Sequence, residues 1–431
     1  MELVVTRPAP ELGTDAADHP HLLVVGATGR PEYRAPIIAE LAASYPLWLV
    51  SEHAPDWALP HIAGWTGCDL SDLTDPAPLL AAVTELAGEI RIGGALTLDD
   101  DCVLLTSYVV ERLGLPGMTP ETTQRCRDKA LMRSVVQLAG IAGPDVRSAG
   151  SAAEAVAAAE AIGLPVVLKP RAQAGSRGVI RVDALEDLPD AYAAATAVPQ
   201  WSADHDGRVL VEEFLDGPNV SLGSAVVGGV VHPLVVARVT TACAPYFTET
   251  DHLLDGHDPL FRDDAFLAMV RDVHAALGIT CGTTLSQWCL TSRGPRLIEV
   301  NARLGGDLVQ QLGGPVNGVE PVRIAADVAM GVPPRTTRTP DGAMAITFLL
   351  APHDLVVTTL GVHGSTVPGT QVELLAQPGD TLLVPPAGKP RYAYVVAHGS
   401  DVAECVGRLR LATATVTLQG IAAAAVTETA V

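Results

Sequence analysis

At 431 residues the chain is too long for one ordinary domain and long enough for two or three, each burying a core of its own. Apolar residues make up 48% and charged residues 18%, with Gly and Pro recurring along the whole length, the profile of a turn-rich α/β protein rather than a disordered one. The formal net charge of −21, with no local basic patch, argues against DNA or RNA as a partner, but a small anion can still be held by a few cations, backbone N–H groups and a divalent metal.

No apolar run approaches the roughly 20 residues that cross a bilayer. The opening Met1 to Pro20 carries Asp and Glu where a signal peptide would be basic and then apolar, so the expected address is the cytoplasm. Seven scattered cysteines, without a C-x-x-C pair, read as reduced and mostly buried thiols. The lysine census says more. Of 28 basic residues only Lys129, Lys169 and Lys389 are lysine, so Arg serves wherever a generic positive charge suffices, and each lysine is a candidate for a task that needs a compact ammonium.

From His21 an apolar strand runs into the glycine turn Gly26 to Gly29, followed by a helix from about Pro36 to Ser44 and a strand Leu47 to Val50. A helix Ala77 to Gly88, a strand Gly94 to Leu98 and a helix Asp101 to Leu113 continue the alternation, which predicts a parallel sheet wrapped by helices and ending near Pro116. The glycine turn lacks the third glycine of G-x-G-x-x-G, and no acidic residue closes the second strand in register. A scaffold turn is therefore favoured over a dinucleotide site.

The middle region opens with a helix from Asp128 to Leu138. Ser151 and Glu154 form a capping box for the alanine-rich helix that ends at Ile162 before Gly163. Leu164 to Lys169 is a strand, Ala174 to Gly178 a glycine-rich turn, and Val179 to Val182 the next strand. Strands Val209 to Phe214, Val220 to Val227 and Val230 to Val239 follow, the last two joined at Gly228 and Gly229. A helix Asp264 to Leu277 precedes strands Thr283 to Leu290 and Leu297 to Val300. Beyond about Pro334, short strands at Ala343 to Leu350, Gln371 to Leu375 and Arg391 to Ala397, a helix Asp401 to Leu411 and a fraying alanine-rich tail read as a small α+β module.

Four segments carry chemistry. Lys129 begins a helix and Lys169 ends a strand. The turn with Gly175, Ser176 and Gly178 can fold its N–H groups over phosphate oxygens. Glu299 and Asn301, two apart on a strand, turn their oxygens to one face, which suits Mg²⁺, and Arg303 just beyond can meet a developing anion. The adjacent Glu212 and Glu213 at the end of an apolar strand repel each other, so a ligand N–H or hydroxyl is expected nearby.

In this order the segments resemble the ATP-grasp superfamily, in particular its carboxylate–amine ligases of the L-amino-acid ligase type, closely from about Pro116 to Gly331. Arg127 to Arg133 looks like the first phosphate-binding lysine segment, and Leu168 to Gly178 like the second lysine with its flexible glycine loop. Residues Val211 to Leu215, with Glu212, Glu213, Phe214 and Leu215, resemble the hinge that grips adenine. Ile298 to Asp307, containing Glu299, Asn301, Arg303, Gly305 and Gly306, matches the metal and catalytic signature. Pro245 to His252 resembles the segment beside the acyl substrate, which would put Glu249 and His252 there.

Two positions depart from the family. Asn219 stands where an acidic residue usually meets the ribose, and Gln287 where a Glu usually bridges two metals; the amide keeps an oxygen ligand and drops a charge. The resemblance implies a Rossmann-like domain over 1–115, an ATP-grasp domain over 116–335 with a flexible small lobe at about 145–215, and an α+β subdomain over 336–431. It implies ATP with Mg²⁺, or Mn²⁺ in its place, as cofactors, and catalysis by Arg303 and Lys169. The expected reaction joins a small carboxylic acid to an amine or amino acid through an acyl phosphate, in a homodimer. A bicarbonate-activating carboxylase and a nucleotide-binding protein without turnover are the alternatives.

Overall fold

The computed structural model describes residues 19–26, 29–198 and 206–423. Ala27 and Thr28 of the first glycine turn, the acidic opening stretch up to residue 18 and the alanine-rich tail beyond Ala423 lie outside them.

The first layer is β1 (His21–Val25), α1 (Pro31–Ala42), β2 (Leu47–Ser51), β3 (Gly64–Gly67), α2 (Ala77–Leu86), β4 (Ile92–Leu96) and α3 (Val103–Leu113). The four strands pair in parallel in the order β3-β2-β1-β4. Leu22 and Val24 of β1 pack into one core and Leu23 and Val25 into another, which is why the strand is apolar at every position. Helix α1 starts five residues ahead of the sequence reading, because Pro31 takes the first helical position, where no N–H is needed.

Helices α4 (Pro120–Arg127) and α5 (Lys129–Leu138) follow, each capped by a side chain: Thr119 accepts from the Thr122 N–H at 3.2 Å, and Asp128 from the Ala130 N–H at 2.8 Å. The cap fixes Lys129 as the first residue of α5. Next come β5 (Val146–Ala149), α6 (Ala152–Ile162), β6 (Val166–Pro170), β7 (Ile180–Val182), α7 (Leu188–Thr196) and β8 (Val209–Glu213), whose antiparallel sheet runs β5-β8-β6-β7. Ser151 caps α6 as expected, while the Glu154 carboxylate accepts from the Gly150 N–H rather than from that of Ser151.

The largest sheet is antiparallel. It is built from β9 (Asn219–Val227), β10 (Val230–Ala242), β11 (Thr248–Asp255), β12 (Cys281–Thr291) and β13 (Gly294–Asn301), with α8 (Asp264–Leu277), α9 (Val309–Asn317) and α10 (Pro321–Ala329) against it. The chain beyond residue 336 adds β14 (Ala343–Leu350), β15 (Leu355–Val362), β16 (Thr370–Leu374), β17 (Thr381–Leu382), β18 (Arg391–Gly399), α11 (Val402–Thr413) and β19 (Val416–Ala422). Strands β14, β18 and β16 extend the large sheet to eight in the order β13-β12-β9-β10-β11-β14-β18-β16, so the C-terminal stretch shares a sheet with the middle of the chain. Strands β17, β15 and β19 form a separate sheet of three.

One face of the eight-stranded sheet buries Trp288, Leu297 and Val300 against Phe266 and Val273 of α8 and Met132 of α5. The other buries Leu234, Val235 and Ile346 against Leu312 of α9 and Ile324 of α10. Each such side chain contributes about 1.5–3 kcal/mol relative to exposure. No described helix is long and apolar enough to cross a membrane.

Candidate active site

A cavity of about 280 Å³ opens between the four-stranded sheet β5–β8 and the β9, β12 and β13 edge of the large sheet. Lys169 comes from β6, Glu212 from β8 and Lys129 from the start of α5, while Gln287 and Glu299 form the floor.

At one end the Glu212 carboxylate, only 2% exposed, lies 2.7 Å from Lys169 Nζ and accepts from Arg133 Nε at 2.9 Å and Nη2 at 3.0 Å. The same guanidinium donates to the Leu297 and Ile298 carbonyls, so one arginine of α5 ties β8 to β13. Burial would raise the Glu212 carboxyl, yet Arg133 and then Lys169 overcome it and bring it down to about 2. Desolvation pulls the Lys169 ammonium below its ordinary value, with Glu212 opposing. The repulsion between Glu212 and Glu213 is met by protein groups on both sides: Glu213 pairs with Arg293 and accepts from the Asp145 N–H at 3.3 Å.

At the floor, Lys129 Nζ donates to the Gln173 carbonyl at 2.8 Å and meets Glu299 at 3.0 Å. Glu299 also accepts from Asn301 Nδ2 at 3.0 Å. Burial opposes its ionisation, but Lys129 and then Asn301 hold its carboxyl below the usual range. Gln287 stands directly opposite Glu299 in the β12–β13 ladder and donates its amide to Glu249 at 3.0 Å, which leaves its carbonyl oxygen available. A carboxylate and two amide oxygens on one sheet face fit a hard divalent ion, with a single anionic protein ligand. Glu299, Asn301 and Gln287 are the residues that could hold it.

The hinge residues Glu213, Phe214 and Leu215, together with Asn219, line the cavity beside the apolar Val167, Val220 and Ile298. Gly175 and Ser176 line it from the glycine turn, whereas Gly178 lies outside the lining and packs towards Pro170.

Beyond the floor, Glu249 and His252 of β11 meet Asp307. His252 Nε2 is 3.6 Å from both carboxylates, the residue is 3% exposed, and neither ring nitrogen has a hydrogen-bond partner. Desolvation disfavours the charged imidazole, but the carboxylates of Asp307 and Glu249 outweigh it and raise the ring above its ordinary value. Arg391 of β18 grips Asp307 through two hydrogen bonds of 2.7 and 2.9 Å and donates to the Glu249 carbonyl. It stacks 3.6 Å over the Phe348 ring.

Arg303, Gly305 and Gly306 are placed differently. Arg303 pairs in a bidentate manner with Asp100, the Nε bond measuring 2.8 Å, and lines a smaller neighbouring cavity of about 80 Å³ with Thr97 and Ser107. None of the three lines the main cavity. Gly305 backs onto Gln310 and Leu285, and Gly306 faces open space.

Sequence reasoning missed Arg133, Gln173, Asp100 and Arg391. Arg133 sits at i+4 from Lys129 and so on the same helix face, a signal that was there to read. Asp100 follows the C-terminal end of β4, the edge at which parallel sheets bind ligands. Arg391 had no local signal, because only the long-range pairing of β14 with β18 brings it near β11.

A family model described as an ATP-grasp domain matches residues 162–311, a span that runs from β6 with Lys169 through β13 with Glu299 and Asn301. Over that stretch the chain is similar to ATP-grasp domains. Among its curated relatives, the uncharacterized protein y4rH of Sinorhizobium fredii is 29% identical over 338 residues, covering 76% of this chain and 68% of that one. Carnosine synthase 1 of Homo sapiens is 27% identical over 420 residues, covering 90% of this chain, and the chain spans about half of that relative, 49%. Of the solved structures, an L-amino acid ligase from Bacillus licheniformis shares the fold, with a TM-score of 0.76 at 19% identity over 93% of this chain and 99% of that one.

Proposed function

We propose that this protein is an ATP-grasp ligase that uses Mg-ATP to join a small carboxylic acid to an amine or amino acid, releasing ADP and phosphate. The observation that carries the reading is the convergence of Lys129, Lys169, the Gly175–Ser176 turn, Glu299 and Gln287 on one cavity, with Asn301 bonded to Glu299 just outside its lining.

In this reading residues Glu213 to Leu215 hold the adenine edge, Asn219 the ribose, and Lys129, Lys169 and the glycine turn, with Gly178 shaping it, hold the phosphates. Glu299, Asn301 and Gln287 hold Mg²⁺, which when bound neutralises phosphate charge. Glu249 and His252 take the acyl substrate side, with the 305–306 glycines giving access. A carboxylate oxygen attacks the γ-phosphorus, the bond to the ADP oxygen breaks, and an acyl phosphate forms. The amine nitrogen then attacks the acyl carbon, phosphate leaves with the C–O electron pair, and the nitrogen loses a proton to give the amide. Arg303, with Asp100 as its counter-charge, stabilises these anionic states once substrates close the cleft. The chain divides at about 115 and 335 in this scheme, works in the cytoplasm and pairs as a homodimer.

The test is phosphate release from Mg-ATP across pooled amino acids and small acids, with Lys169→Ala alongside. Release that needs both an acid and an amine, and that falls at least about 100-fold in the variant, is the expected result. Release that needs bicarbonate instead would assign a carboxylase. Nucleotide binding with no release in any pool would leave a binding protein.

A further inference from the structure

Lys389 is the one lysine of three that the nucleotide scheme does not use. It lies 214 positions beyond Gly175, yet its ammonium reaches the glycine turn: Nζ stands 2.9 Å from the place a Cβ on Gly175 would occupy. Gly175 has φ +64, so both the backbone conformation and the lack of a side chain leave this approach open.

The lysine is held out by a stiff turn. Pro385, Pro386 and Pro390 bracket it, the Ala387 and Gly388 N–H groups both donate to the Val384 carbonyl, and the Pro390 carbonyl accepts from Ala351 at 2.8 Å. Among the described residues the ammonium makes no hydrogen bond or ion pair, although Asp307 and Glu249 are its acidic neighbours. Asp307 is already taken by Arg391, and Glu249 by Gln287. Lys389 remains accessible to solvent but is crowded enough that desolvation, with Arg391 and Arg177 nearby, draws it below the ordinary lysine value. An ammonium in that setting is stabilised by an incoming anion.

Two groups of the site flank it. On one side is the turn assigned to phosphate, on the other the Glu249–His252–Asp307 group assigned to the acyl substrate. Phosphoryl transfer between them must pass the point where Lys389 ends. We propose that Lys389 is a third phosphate-binding lysine, contributed by the turn before β18, which grips the γ-phosphoryl group as it leaves ATP and while it rests on the acyl oxygen. This inference rests on the nucleotide reading of the cavity. It also gives the C-terminal stretch a direct part in the site: the turn carrying Lys389 continues into β18, whose first residue, Arg391, holds Asp307.

Calorimetric titration of the full chain with Mg-ADP and with the magnesium β,γ-imido analogue of ATP tests it. The wild type is expected to prefer the triphosphate, and Lys389→Ala to lose about 10-fold on the analogue, the worth of one charge-assisted contact, with ADP within twofold of wild type. Lys389→Arg should recover part of the loss. An exposed turn lysine is not needed for folding, so a folded variant with unchanged preference for the triphosphate overturns the assignment. An equal loss on ADP and the analogue overturns it too, as does a change confined to the KM of the acid. Failure of the wild type to bind either nucleotide would overturn the nucleotide reading itself, a separable result.

Discussion

The two ends of the cleft are built on different electrostatic plans. At the end proposed for the nucleotide, Lys129, Lys169 and Arg133 face the carboxylates of Glu212 and Glu299, and every one of these charges already has a protein partner. At the far end Glu249 and Asp307 face Arg391 and Lys389, and between them His252 is buried with both nitrogens unbonded. The first end is preorganised and cation-rich, suited to phosphates without rearrangement. The second mixes both signs of charge and is incompletely bonded, suited to a group that brings donors and acceptors of its own, such as an amino acid.

The sharpest way to break this comparison is to remove the anion at the centre of the preorganised end. Glu212→Ala leaves Arg133 and Lys169 buried without their partner, and such a change costs about 3–5 kcal/mol. Thermal unfolding should show a fall in Tm of several degrees or more, and ADP binding should weaken with it. A Tm within a degree of wild type would mean that water reaches the pair and that the end is not preorganised.

The far end is probed next, by pH. Because the folded-state value of His252 is raised, the stability it contributes is fully present below the unfolded value of about 6.5 and is lost as pH rises through the higher folded value. Asp307→Asn removes one of the two carboxylates that favour the charged ring. The His252 midpoint, followed by NMR of the ring protons, should drop, and the pH window of that stability should move down with it. A midpoint that stays in place would leave Glu249 as its sole determinant.

How much of this was open to reading from the chain alone depends on the range of the contacts. The helix Asp264 to Leu277 and the strand Ala343 to Leu350 were read at their observed bounds, since a capping aspartate, a closing glycine and an unbroken apolar run are local signals. Helix α9 was missed because Gly313, Gly314 and Pro315 interrupt its pattern, and the nine-residue α10 beyond it also went unread. Gly313 is there for packing, as a Cβ would fall 2.3 Å from Val235. In the site, Lys169 and Glu299 announced themselves through composition and alternation. The partner of Glu212 did not, for Arg133 is 79 positions away and reaches β8 only once α5 has packed on the sheet. Strand β11 was passed over for a related reason: six of the eight residues from Thr248 to Asp255 are polar, and Glu249 and His252 among them turn to each other inside the protein rather than to solvent.

The smallest effect concerns the border between the two ends, at Gln287. Its amide donates to Glu249 and it stands opposite Glu299 in the ladder, so a neutral side chain joins the two ends. Gln287→Glu would add a carboxylate ligand beside Glu299 and should tighten Mg²⁺ or Mn²⁺ binding about 10-fold, by roughly 1.4 kcal/mol. The same change puts a carboxylate against Glu249 where an N–H donated at 3.0 Å, so without metal the variant should melt slightly below wild type. Titration of Mn²⁺ followed by its electron paramagnetic resonance signal, in the presence of ADP, reads the first effect, and melting in chelator reads the second. If metal affinity stays unchanged while the apo form loses stability, Gln287 serves the far end only, and the ion is held by Glu299 and Asn301 with the phosphates.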